Sequence, residues 1–344
     1  MTNPREQHRI TTPGPLHNPD GSLAEPGWAT SPLLQYDRAR VKAPAWRIKE
    51  WDYYCILADS YGVAFTVADN GYLGFVSSTV FNFEDGTEET ATVMTALPLG
   101  KFGMPPSSNE GDVSFQQDDF SLTIRREPGR RILEIDIAAF ESGRLQGTLS
   151  LTQPEAMDSM VIATPYAANP RAFYYNQKVN CMPAAGTLSF NSRTLTFDPA
   201  TCFGVLDWGR GVWTYANTWY WGSASGLVAN APFGFNIGYG FGDTSAATEN
   251  MLFYNGKAHK LADVTFHIPE PDSLKPWTFT SSDGRFEMDF TPVLDRFSDT
   301  NLLILRSWQH QVFGRFTGTA VLDDGTRLEV KDLLGFAEKV RNRW

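Results

Sequence analysis

An aspartate and an arginine set among glycines and tryptophans offer the most chemistry in this chain. Residues 207–221 read Asp207-Trp208-Gly209-Arg210-Gly211-Val212-Trp213-Thr214-Tyr215-Ala216-Asn217-Thr218-Trp219-Tyr220-Trp221, and they hold four of the ten tryptophans. Tryptophan carries a large apolar area and one N–H that needs a partner when buried. Charge among such rings sits in a dry place and is costly unless paired. This composition suits the wall of a ligand pocket. There Asp207 would serve as proton donor or base, and Arg210 would hold a substrate oxygen or tune the acid. It equally suits an aromatic barrel core with one structural ion pair.

Strand alternation sorts these side chains. Read as a strand, 207–213 puts Asp207, Gly209, Gly211 and Trp213 on one face, and Trp208, Arg210 and Val212 on the other. The two glycines permit a bulge, which would bring Asp207 and Arg210 together. On the following strand Asn217, Trp219, Trp221, Ser223 and Ser225 share a face that suits an apolar ligand with a polar tip. Trp208, Trp213, Trp219 and Trp221 are therefore candidate binding residues. Trp219 and Trp221 could also stabilise developing positive charge through their ring faces.

Weaker candidates lie downstream. Asn236 precedes Gly238-Tyr239-Gly240-Phe241-Gly242, which is not a dinucleotide fingerprint because no helix opens after it. Glu249, before the apolar run Met251-Leu252-Phe253-Tyr254, reads as a turn residue or a pocket acid. His310, in Trp308-Gln309-His310-Gln311, reads as a satisfied structural histidine or a binding residue. Gly222-Ser223-Ala224-Ser225-Gly226 has Ala224 where a nucleophile elbow needs its serine. The five histidines and three cysteines show no metal-ligand spacing, so neither a metal nor a cofactor is expected.

The elements that position these residues read as strands. Asn70-Gly71, Asp85-Gly86, Asn255-Gly256, Asp283-Gly284 and Asp324-Gly325 are hairpin signals between β-rich runs. In Arg131–Ile137, Leu133, Ile135 and Ile137 fall on one face, with Glu134 and Asp136 on the other. Helical periodicity is scarce, and its best example, Leu333 to Val340, reads equally as a strand. Roughly ten strand candidates precede residue 200 and a similar number follow, too many for one barrel. The expectation is an all-β chain. A Pro-rich extended arm covers 1–44, anchored at Trp28 and Pro32-Leu33-Leu34. One antiparallel barrel spans 45–190, and a second spans 191–344 and carries the Trp-rich motif. Their junction is expected within 183–200.

A formal charge of −10 argues against a nucleic-acid partner. No apolar run is long enough to span a membrane, and the polar N-terminus has no secretion signal, so a soluble cytoplasmic protein is expected. Three scattered cysteines do not form a disulfide framework.

The stretches Asp20-Gly21-Ser22-Leu23, Lys49-Glu50-Trp51-Asp52-Tyr53, Asp207 to Trp213, Trp219 to Gly226, Thr248-Glu249-Asn250, Asn255 to Leu261, Phe313 to Gly318, Gly335-Phe336-Ala337-Glu338 and Arg343-Trp344 resemble the family catalogued as Domain of Unknown Function 2804. More distantly, Asp207-Trp208-Gly209 followed by Trp219-Tyr220-Trp221 is similar to the signature of the carotenoid hydratase and AttH-like group. That resemblance implies two lipocalin-like (calycin) barrels in one chain. The group includes hydratases of isoprenoids, and fungal Diels–Alderases share its architecture. Trp208-Gly209-Arg210 replaces the His-Glu of that signature here, so the resemblance implies the fold rather than the chemistry. Three functions stay open. One is a cofactor-independent hydratase, isomerase or cyclase for a small hydrophobic or amphipathic molecule. The second is a non-catalytic lipocalin-type carrier or sensor, and the third a carbohydrate-active protein.

Overall fold

The computed structural model describes residues 6–302 and 305–343; the terminal Trp344 lies outside them. Among the described residues there is no α-helix, only strands and two short 3-10 turns. Leu333 to Val340, the ambiguous segment, lies within the strand Arg327–Arg343. Among the described residues no helix is long and apolar enough to cross a membrane.

The strands form two large curled antiparallel sheets. The central strands of the first run in the order Tyr61–Asp69, Ile48–Leu57, Phe203–Val212, Asn169–Phe190, Gly143–Thr152. Those of the second run Ala231–Tyr239, Ala216–Val228, Arg327–Arg343, Leu305–Val321, Phe286–Leu302. Each sheet curls around its own apolar core. Leu133, Leu149, Phe65 and Trp208 belong to the first core, and Phe235, Phe286, Phe316 and Trp277 to the second. A third apolar layer, with Tyr53, Tyr174, Trp213, Trp221 and Phe336, lies between the sheets.

The change of sheet falls later than the sequence suggested. Residues 183–190 continue a long strand, and Arg193–Phe197 turns back to pair with it. Phe203–Val212 then inserts between Ile48–Leu57 and Asn169–Phe190, so the Asp207 strand is central to the first sheet. Only from Ala216 does the chain enter the second sheet. The Trp-rich motif is therefore shared between the two sheets. Every residue of Phe203–Val212 is buried, as expected of a strand covered on both faces.

This strand keeps continuous register with Ile48–Leu57, so no bulge separates Asp207 from Arg210. The glycines act differently from the expectation. A Cβ on Gly209 would lie 2.0 Å from the Trp51 ring, and one on Gly211 2.6 Å from Trp213 Nε1. They make room for two indoles. The bulge in this neighbourhood falls on the adjacent strand, between Val179 and Met182, where Cys181 has φ 59°. There Asn180 Nδ2 donates to Ser223 Oγ (2.8 Å) and Phe235 O (3.0 Å), and Cys181 N donates to Ser225 Oγ (3.0 Å). Ser223 and Ser225 thus fasten the sheets together.

Arg210 faces the first core and is wholly buried. Its Nη1 donates to Trp51 O (2.9 Å), Gly209 O (2.8 Å) and Asp52 Oδ1 (3.0 Å), and its Nη2 to Pro105 O (2.7 Å). Its guanidinium lies 4.2 Å from the centre of the Trp208 ring. Beside it Glu50 accepts from Tyr36 and Arg38 of the N-terminal segment, whose Leu16, Leu34 and Tyr36 enter the same core. Gly27–Ala29 adds to the edge of Met160–Tyr166.

Arg210→Ala would leave Asp52 buried without its cation. The expected loss of unfolding free energy is about 3–5 kcal/mol, the usual cost of breaking a buried pair. Urea titration measures it; a change within experimental error would contradict the anchoring role.

Candidate active site

Cross-strand register builds the site. In the first sheet Tyr53, Asp207 and Lys178 lie directly opposite one another on three neighbouring strands. The next row is Trp51, Gly209, Asn176, and the one after it Lys49, Gly211, Tyr174. Directly opposed side chains on one face touch, and diagonal neighbours come within reach of longer ones. In the second sheet Trp221, Glu338, Gln311 and Arg296 form a row across four strands. The two rows face each other. Gln311 Nε2 lies 3.3 Å from Tyr53 OH, and Lys178 Nζ sits 3.7 Å from the centre of a Trp221 ring.

Between the sheets opens a cavity of about 530 Å³. One part of its wall is aromatic, formed by Trp51, Tyr53, Tyr174, Trp213, Trp219 and Trp221, and carries Lys178, Asp207 and Glu338. The other part holds Thr90, Thr92, Ser298 and Thr300, which are exposed and mark the mouth. The rings are locked edge to face: Trp213 meets Trp51 at 5.7 Å and Trp219 at 5.1 Å, between centroids.

Charge in the wall is dense. Lys178 Nζ lies 2.7 Å from Asp207 Oδ2, with the lysine side chain 1 % exposed. Asn176 Nδ2 donates to Asp207 Oδ1 at 2.6 Å. Glu338 Oε1 accepts from Trp219 Nε1 at 2.9 Å. Burial pushes the Glu338 carboxyl up to about 7; the Asp207 charge adds to this, while the Trp219 hydrogen bond and Lys178 oppose it. Glu249, behind the wall, is likewise pushed up to about 7 by burial. Its Oε2 accepts from Tyr174 OH at 3.2 Å, and its Oε1 has no hydrogen-bond partner. Burial lowers the Lys49 ammonium to about 7, with the neighbouring Arg47 charge adding to it.

The expected residues divide. Asp207, Trp213, Trp219 and Trp221 line the cavity together. Arg210 and Trp208 do not reach it, because alternation without a bulge points them into the first core. Asn236 acts behind the wall: its Oδ1 accepts from Trp221 Nε1 (2.7 Å), and its Nδ2 donates to Glu249 O (2.9 Å). Glu249 contacts the cavity through Tyr174. His310 lies elsewhere, with Nδ1 2.6 Å from Asp295 Oδ2, beside a second, smaller cavity of about 140 Å³. Lys178, Glu338, Tyr174 and Gln311 were missed. Glu338 lay in a stretch noted only for resemblance, and Lys178 had one available signal: alternation from Tyr174 through Asn176. No group of three or more potential metal ligands occurs among the described residues.

A family model described as Domain of unknown function (DUF2804) matches residues 7–344, so the chain belongs to that family. No curated protein matches it. Among solved structures, CghA with Sch210972 is similar at 13 % identity and TM-score 0.58, covering 99 % of this chain and 97 % of that one. An AttH-type protein from Nitrosomonas europaea is similar at 14 % identity and TM-score 0.54, covering 89 % and 96 %. Kievitone hydratase from Nectria haematococca is similar at 10 % identity and TM-score 0.51, covering 96 % and 98 %. At these identities the likeness is one of fold, that of the double-lipocalin-like proteins.

The raised Glu249 carboxyl makes stability depend on pH. The folded chain holds this proton up to about 7, whereas the unfolded chain releases it near the ordinary 4.5. Its contribution is complete below about 4.5 and is lost as pH rises through about 7. Glu249→Gln removes this loss. The stability of the variant relative to the wild type should therefore grow as pH rises over that window. Urea midpoints at a series of pH values measure it, and a pH-independent difference would contradict the assignment.

Proposed function

We propose that this member of the DUF2804 family binds a largely apolar small molecule between its two sheets and moves a proton on it without a cofactor. The reaction would be a hydration, isomerisation or cyclisation. The supporting observation is that Asp207 and Glu338 both line one aromatic cavity. Two carboxyl groups in contrasting environments are the physical signature of an acid and a base working together. Asp207 Oδ2 lies 2.7 Å from Lys178 Nζ, and its Oδ1 accepts from Asn176 Nδ2 at 2.6 Å. Glu338, pushed up to about 7, keeps its proton available near neutrality.

Glu338 donates a proton to an unsaturated carbon. Positive charge that develops there lies against the faces of Trp219 and Trp221, which attract cations. Asp207 then removes a proton from the ligand, or from water attacking it. Asn236 fixes Trp221, and Trp219 fixes Glu338. CghA, crystallised with a small molecule, and kievitone hydratase share the fold, which adds to this reading by analogy. A carrier or sensor needs no ionisable groups in its cavity wall, and here there are several.

All three reactions place a solvent proton on carbon, which gives one test. The protein is incubated in deuterated water with a panel of isoprenoids and other unsaturated apolar compounds. Mass spectrometry should find deuterium in at least one. Asp207→Asn and Glu338→Gln should each slow incorporation by about two to four orders of magnitude, with urea titration checking that each variant is folded. Tight binding without incorporation would contradict the reading and leave a carrier.

A further inference from the structure

We propose that Lys178 captures an aldehyde or ketone group of the ligand as a protonated Schiff base, with Asp207 as counter-ion and the Trp221 ring beside the nitrogen. The proposal uses the same cavity but does not rest on the proton-transfer reading. Lys178 lines the cavity, and its side chain is 1 % exposed. A buried ion pair is poor value as a stabilising device, because an apolar pair of similar volume usually does as well. A lysine held in an apolar pocket has another use, as an amine nucleophile toward carbonyl groups.

The surroundings fit that use. Asn176 takes one oxygen of Asp207 at 2.6 Å and leaves the other for Lys178 at 2.7 Å. A proton acceptor therefore stands at the nitrogen that must lose protons. The Trp221 ring, 3.7 Å from Nζ, is pinned through its own N–H to Asn236 at 2.7 Å. Its face stabilises a cation, and an iminium is one. The Tyr174, Trp213 and Trp219 rings complete the apolar part of the cavity wall.

The step balances without an oxidant or reductant. Asp207 takes a proton from the ammonium, and the freed electron pair of Nζ attacks the carbonyl carbon to form the C–N bond. Asp207 returns the proton to the carbonyl oxygen, giving a carbinolamine. It then takes a second proton from nitrogen and delivers it to the hydroxyl. The C–O bond breaks, water leaves, and the nitrogen pair closes the C=N bond. Ammonium and carbonyl have become iminium and water, and Asp207 is again ionised.

The full chain is incubated with equimolar 3-phenylpropanal and cyanoborohydride, which reduces an imine to a stable amine. Intact-mass measurement should find one adduct per chain, and peptide mapping of the wild type should place it on Lys178. Lys178→Met should lose that adduct, and Asp207→Asn should slow its formation. An adduct on Lys49, the other lysine of the cavity wall, or on surface lysines, or no adduct at all, would overturn the proposal. Mapping needs only the wild type, so a variant that fails to fold does not blunt the test. Deuterium incorporation without an adduct overturns this proposal alone. An adduct without incorporation overturns the proton-transfer reading alone.

Discussion

The contact between Lys178 and Asp207 is the constraint around which the centre of this protein is arranged. The two residues are direct cross-strand partners at the middle of the first sheet, with Nζ 2.7 Å from Oδ2 and side chains 1 % and 10 % exposed. Separating either from its partner would leave a buried charge, which is strongly unfavourable. Satisfying both requires Asn176 on the carboxylate and the Trp221 face on the ammonium. Trp221 comes from the second sheet, so the pair also fixes how the sheets meet. The bulge at Asn180 and Cys181, two residues along the same strand, fastens them with hydrogen bonds to Ser223 and Ser225.

One strand serves two layers. Its odd positions Asp207, Gly209 and Gly211 face the layer between the sheets, where Asp207 lines the cavity together with Trp213 just beyond the strand. Its even positions, Trp208 and Arg210, belong to the first core, where Arg210 neighbours the Glu50 that receives Tyr36 and Arg38. Gly209 and Gly211 are small because Trp51 and Trp213 occupy the space their side chains would need. The motif therefore reads as two interleaved requirements, a polar aromatic wall and a buried clamp. Neither could tolerate a shift of one residue, which would exchange the faces.

Much of this was legible in the chain itself. Turn pairs and alternation pointed to an all-β protein, and alternation alone put Asp207 with Trp213, and Trp219 with Trp221. What stayed hidden depends on register between distant strands. Lys178 becomes relevant only once it stands opposite Asp207, and Glu338 only once it stands opposite Trp221. Arg210 attracted attention because it is charged among glycines, but its role follows from the strand's unbroken pairing, which the glycines left open. The sheet boundary was misplaced because Phe203–Val212 returns to pair with Ile48–Leu57, some 150 residues earlier in the chain.

The central claim is that ligand binds between the sheets and in neither barrel core. The tryptophans are natural reporters of this, since Trp208 lies in the first core, Trp277 in the second, and Trp213 and Trp221 between them. Fluorine NMR of protein labelled with 5-fluorotryptophan, titrated with an isoprenoid alcohol such as geraniol, separates the three locations. The account predicts shifts at Trp213, Trp219 and Trp221, with Trp208 and Trp277 unmoved. Shifts at Trp208 or Trp277 while Trp213 and Trp221 stay silent, or no shift at any of them, would contradict it.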